Sequence, residues 1–186
     1  MSLKKNVIAN YFGSGWVSVM NIVFVPYYIK YLGMESYGLI GFYAMLQACL
    51  NLLDFGMTTT LSREMARFTG GEHTNTSIRD LLRSLETLCF SIAGIYLFGI
   101  WISSSLVAER WLQANQIPAV TVAQAFAIMG VVTALRFIEG PYKGAIIGLQ
   151  KQVVYNLANA LMATLRGLGA VIVLAWVQPS IQAYFV

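Results

Sequence analysis

The 186-residue chain is 58% apolar and only 11% charged, with 12 Lys and Arg against 8 Asp and Glu and a formal net charge of +4. Its mean hydropathy is +0.65, far from the usage of soluble domains. The charges are clustered, and of the uncharged windows 6–29, 36–53, 87–108, 111–135 and 152–165, four hold at least 18 residues. A helix needs about 20 residues to cross a bilayer core of about 30 Å, so soluble catalysis, secretion and nucleic-acid binding are excluded and an all-α integral membrane protein is expected.

The first span is predicted over 7–31 and the second over 37–61, joined by a turn carrying Gly33, Glu35 and Ser36. The first stretch is too long for the apolar core of a cleavable signal peptide and is followed by further spans, so it should remain attached. Asn10, Ser14, Asn21 and Tyr28 fall near one face of this span, with Ser18 to the side, and Pro26 predicts a kink toward its outer end. In the second span Gln47, Asn51, Asp54 and Thr58 recur at steps of four, three and four, a continuous polar stripe. An ionised carboxylate facing lipid costs about 2.5–3.5 kcal/mol, so this stripe should face either a partner helix or a water-filled cavity. In the cavity reading Asp54 is a proton or cation site.

The one long polar stretch, 63–83, reads as a loop plus a helical extension, with Gly70 and Gly71 in the loop and a capping box formed by Ser77 and Asp80. His73 within it reads as a solvated histidine, and Asn75-Thr76-Ser77 matches a glycosylation sequon on the expected cytoplasmic side. The third span is predicted over 85–106 and the fourth over 119–137. Arg136 and Glu139, three residues apart, read as an interface pair. Cys49 and Cys89 lie in apolar windows and read as buried thiols rather than a disulfide.

The fifth span, 153–177, carries Gln152, Asn156, Asn159, Ala163, Arg166 and Ala170 at alternating steps of four and three. Arg166 lies fifteen residues beyond Lys151, about 22 Å along a helix, too deep to snorkel to the boundary. Its expected partner is an anion, either Asp54 or a substrate phosphate suited to the guanidinium fork. After Gln178, Pro179 and Ser180 a sixth span starts near 181, which reads as an N-terminal part of a larger protein. Tyr27, Tyr28, Tyr31, Trp101, Trp111 and Trp176 read as an interfacial aromatic belt. No metal cluster, nucleotide-binding loop or nucleophile triad is evident, so neither a cofactor nor enzymatic activity is expected.

Orientation follows from the short loops. Nine of the 12 Lys and Arg sit in the N-terminal tail, in 62–85 and in 136–152, against Lys30 and Arg110 on the other side, which places the N-terminus in the cytoplasm.

Lys4-Lys5-Asn6, Tyr31-Leu32-Gly33 to Tyr37-Gly38, Leu53-Asp54-Phe55-Gly56-Met57 leading to Arg63-Glu64, and Gly148-Leu149-Gln150-Lys151-Gln152 to Asn156 together resemble the polysaccharide biosynthesis membrane proteins. These are the O-antigen and lipid-linked oligosaccharide flippases of the multidrug/oligosaccharidyl-lipid/polysaccharide exporter superfamily. The resemblance implies most of the N-terminal lobe of a transporter of about 12 to 14 helices in a bacterial inner membrane, its two lobes arranged around a central cavity. It implies alternating-access translocation of an undecaprenyl-pyrophosphate-linked oligosaccharide such as an O-antigen or exopolysaccharide unit. Membrane lipids and glycan polymerase machinery are the implied partners. Arg166 would hold the pyrophosphate, and Asn10, Ser14, Asn21, Gln47, Asn51, Asn156 and Asn159 would line the cavity toward the sugars. Asp54 would couple transport to an ion. A drug or cation exporter of the same superfamily and an integral-membrane glycan-assembly enzyme are the alternative readings.

Overall fold

The computed structural model describes residues 3–110 and 118–176, and every regular element among them is an α-helix: α1 (Leu3–Leu52), α2 (Met57–Thr69), α3 (Asn75–Arg110), α4 (Ala119–Gly148) and α5 (Gln152–Trp176). Four stretches are long and apolar enough to cross a membrane, Asn6–Met34, Asn75–Ser104, Val120–Gly148 and Gln152–Trp176. Ser36–Leu52 and Met57–Thr69 together make a fifth if this bent pair is one span. The expected sixth start near 181 and Trp111 lie outside the described residues.

α1 is two arms meeting at Gly33, whose φ of 80° and ψ of 165° are the only non-helical dihedrals inside it. That backbone conformation is essentially confined to glycine, which is why the turn expected at 33–36 falls there. The helix runs through Pro26 without leaving helical dihedrals, so the interruption comes seven residues later than the proline.

The second span is not the continuous helix expected over 37–61. It stops at Leu52, turns through Phe55 (φ 44°) and Gly56 (φ 79°), and resumes as α2 at an angle of 56°. Hydrocarbon offers no partner to freed backbone groups, and the turn meets that demand internally. Leu53 N donates to Leu50 O at 2.9 Å, Asp54 N to Asn51 O at 3.3 Å and Met57 N to Asp54 O at 2.8 Å.

α4 extends eleven residues past the expected end at 137, through Pro141 to Gly148, and is the most enclosed of the spans. It packs closely on α3 and α2, whereas α5 packs on the first arm of α1 and touches α4 little. The reason lies in α4's small residues. Gly140, Gly144 and Gly148 form a stripe at steps of four against Thr58, Ser62 and Met65 of α2, and such stripes let helix backbones approach closely in membranes. The buried clusters follow this arrangement. Leu50, Met57, Cys89, Ala93, Ala134 and Phe137 knit α1, α2, α3 and α4, while Phe24, Tyr28 and Leu174 join α1 to α5. Tyr28 is thus core, not belt. Large apolar side chains such as Tyr11, Phe12, Ile22, Ile95 and Trp101 stand outward, as lipid contact requires. Cys89 is buried but Cys49 is exposed on the surface of α1, since it points away from the α4 interface that covers Leu50.

Between α2 and α3 the chain is closed by a charged clasp. Arg67 donates from Nε to Glu72 at 2.7 Å and from Nη1 to Glu64 at 3.1 Å, and His73 Nε2 lies 2.7 Å from Glu64. His73 is therefore a half-buried partner of a carboxylate, not a solvated side chain. The start of α3 is capped by Thr74, whose Oγ1 accepts the Ser77 N–H at 3.2 Å. The cap lies three residues before the expected Ser77–Asp80 box, because the helix begins at Asn75 and leaves Ser77 inside its first turn.

Candidate functional site

The polar stripe of α5 divides into two roles. Asn156 is buried and donates to Asn10 Oδ1, and Asn10 Nδ2 donates to Gln152 Oε1 at 3.1 Å. Asn156 also sits where a Cβ on Gly13 would come within 2.8 Å of its own Cβ. Asn10, Gln152 and Asn156 are therefore a structural hydrogen-bonding seam between the first arm of α1 and α5, with their amide groups directed at one another. Ala163 and Gly167 continue the seam, Gly167 lying against the Phe24 ring.

Asn159 and Arg166 are exposed, on a flank of α5 that turns away from this seam. On the opposite flank Trp16 Nε1 donates to Thr164 Oγ1 at 2.9 Å, in an apolar groove with Leu157, Ala160, Leu161 and Leu165. Ser14 and Asn21 are also exposed and, by helical rotation, stand on the side of α1 away from Trp16. Ser14, Asn21, Asn159 and Arg166 thus share one side of the α1–α5 pair, the side toward α4.

On that side α4 and α5 touch little beyond their short connection at 149–151, which leaves the exposed flanks of the two helices bordering a cleft. Near the connection Lys143 Nζ of α4 lies 5.5 Å from the ring centre of Tyr155 on α5, a cation–π contact that orients the two faces toward each other. Tyr155, Asn159 and Arg166 follow one another along the α5 flank at steps of four and seven, and Lys143, Glu139 and Arg136 do so along α4 at steps of four and three. Arg136 is a hydrogen-bond partner of the Tyr43 side chain from the second arm of α1, and Arg166 lies within electrostatic range of the same side chain. Gln47, one turn beyond Tyr43, is half-buried. Tyr43 is thus hydrogen-bonded by the Arg136 guanidinium and feels the Arg166 charge from the other helix at longer range.

Two pairings read from the sequence do not form. Arg136 and Glu139 make no ion pair; all four ion pairs among the described residues lie between Arg63 and His73. Arg136 is drawn instead to Tyr43, which the tertiary fold brings to it from 93 positions earlier in the chain. Asp54 and Arg166 do not meet as an ion pair either. Asp54 is half-buried at the broken span, where its two carboxylate oxygens each accept the Thr58 N–H at 3.3 Å and Oδ1 accepts the Thr58 hydroxyl at 2.7 Å. Gly56 occupies the N-cap position of α2 without a side chain to offer, so Asp54 caps the helix from two residues upstream, favoured also by the helix dipole. Asn51 is exposed and contributes its carbonyl to the turn.

The capping role gives a direct expectation. Asp54→Ala should lower thermal stability by about 1 kcal/mol, whereas Asp54→Asn, which keeps an accepting oxygen, should lose a few tenths. Melting of the purified protein in detergent checks this; equal stability of the alanine variant and the wild type would remove the cap from the account.

Arg136, Lys143 and Tyr43 are the site residues the sequence reading missed. A signal existed for two of them: Arg136, Glu139 and Lys143 share a helical face, but only if α4 extends past 137. The hydrogen bond between Tyr43 and Arg136 has no local sequence signal.

The helices and their exposed apolar faces define a multi-pass α-helical membrane protein with a cationic cleft among α1, α4 and α5. Set against protein-family models, curated proteins and solved structures, the chain matches none of them.

Proposed function

We propose that this protein translocates an anionic, lipid-linked oligosaccharide across a bacterial inner membrane, with the diphosphate of an undecaprenyl-linked glycan held between Arg136 and Arg166. The N-terminus is on the cytoplasmic side in this reading, from the distribution of Lys and Arg. The observation that carries it is that Arg136 and Arg166, from two helices that otherwise touch little, both place a positive charge within electrostatic range of Tyr43, Arg136 by a hydrogen bond. Guanidinium groups present planar donor pairs that match phosphate oxygens. Asn159, Ser14 and Asn21 on the same side supply amide and hydroxyl groups for sugars, and the resemblance to polysaccharide flippases in 31–38, 53–64 and 148–156 points the same way.

An anionic cargo is preferred over an organic cation because Asp54, the carboxylate at the break of the bent span, is engaged in capping α2. In a cell that depends on this protein for surface glycan, Arg166→Ala should cut lipid-linked glycan export at least about tenfold, the worth of one charged hydrogen bond, at unchanged protein level. Undiminished export by the well-expressed variant would count against the reading.

A further inference from the structure

The cleft contains a carboxylate as well as its cations. Glu139 lies three residues after Arg136 and four before Lys143 on the exposed face of α4 that turns toward α5. A carboxylate so placed is positioned to pair with either cation. It pairs with neither: Arg136 is engaged with Tyr43, Lys143 lies over the Tyr155 ring at 5.5 Å, and every ion pair among the described residues is elsewhere. From the remaining elements the cleft receives Gln47 beside Tyr43 on α1, and Asn159 and Arg166 on α5.

We infer that Glu139 is the cleft's own counter-anion, competing with a bound diphosphate for the charge of Arg136 and Lys143 and so holding its affinity down. This rests on the anion-binding reading above. With Glu139 ionised, Arg136, Lys143 and Arg166 leave the cleft with two net positive charges, the charge that a diphosphate diester neutralises. A carrier must bind its cargo and also let it go, and a site with three unopposed cations satisfies only the first requirement. An anion seated at Arg136 stands within one helical turn of the Glu139 carboxylate, and like charges at that spacing repel appreciably even at a moderate local dielectric.

The test is calorimetric titration of inorganic pyrophosphate into the purified protein in detergent at low salt. Glu139→Gln should bind about tenfold more tightly than wild type, with a gain that shrinks as ionic strength rises. Glu139→Asp, which keeps the charge, should stay within about twofold. Glu86→Gln serves as the control, since Glu86 accepts the Tyr142 hydroxyl at 2.6 Å between α3 and α4, and it should not alter affinity. If Arg136→Ala and Arg166→Ala weaken binding but Glu139→Gln leaves it unchanged, the competition is overturned and the anion site stands. Weaker binding by Glu139→Gln would make Glu139 a support of the cleft, again overturning the inference. Absence of any arginine-dependent binding in both wild type and Glu139→Gln would remove the anion site and this inference together.

Discussion

Replacing Gly148 by valine is expected to force α2 away from α4 and to leave little folded protein. A Cβ at Gly148 would lie 2.6 Å from Met65 Cβ and inside contact distance of the Ser62 carbonyl oxygen, and at Gly144 it would press on the Thr58 carbonyl oxygen. Both oxygens belong to the α2 backbone, which has no rotamer into which to retreat. Even Gly148→Ala carries this conflict. Its gain in helix propensity is at most about 1 kcal/mol, against about 1–3 kcal/mol or more for overpacking a close contact, so the net effect is destabilising. Gly94 and Gly99 on α3 have open space around an added Cβ, and alanine there should be neutral or stabilising by up to about 1 kcal/mol. Thermal melting monitored by size-exclusion fluorescence separates the two sets. A Gly148→Ala variant as stable as wild type would mean that α2 and α4 do not approach this closely.

The second large effect concerns the two arginines as a unit. Each single alanine variant should reduce export by roughly 10- to 100-fold, because hydrogen bonds to charged groups contribute about 1.5–3 kcal/mol. The double variant should fall well short of the product of the two losses. Once one guanidinium is gone the anion is no longer held from both helices, and the remaining arginine does less than it did in the pair. Arg63→Ala, exposed on α2 and paired only with Glu64 at 3.6 Å, should leave export near wild type, since exposed pairs of this kind contribute at most about 1 kcal/mol. A double-mutant cycle in the export assay measures the coupling. Strict multiplicativity of the two losses would argue that Arg136 and Arg166 serve separate steps rather than one shared anion.

The membrane character and most span positions were legible from periodicity and charge spacing, because the absence of charge over about 20 residues answers to the thickness of the bilayer and not to any partner. The break at 53–56 was less legible. Leu53-Asp54-Phe55-Gly56 has only one glycine, and the left-handed conformation of Phe55 (φ 44°) is one that its residue type does not announce. The extent of α4 was underestimated because Arg136, Glu139 and Lys143 read as the end of an apolar window, while the glycine stripe 140–144–148 that keeps the helix docked on α2 has meaning only once α2 is beside it.

The candidate site shows the same division. Spacing alone identified polar faces on α1 and α5, since helical rotation is a local property. It could not assign Asn10, Gln152 and Asn156 to a seam and Asn159 and Arg166 to a cleft, because the angular difference between these groups on α5 is small and the position of α1 decides which is covered. Nor could it tell that Asp54 would be satisfied by Thr58 four residues away, or that Arg136 would reach Tyr43 instead of Glu139.

The sequence by itself determined that this chain is a set of membrane-crossing helices and which of their faces carry polar groups, because hydropathy and helical period depend only on residue order. Only the tertiary structure decided which polar groups face each other and which face an opening. That choice belongs to the close contacts of small residues, Gly13 on Asn156, Gly167 on Phe24 and Gly144 on Thr58, which bring some helices together and leave α4 and α5 apart.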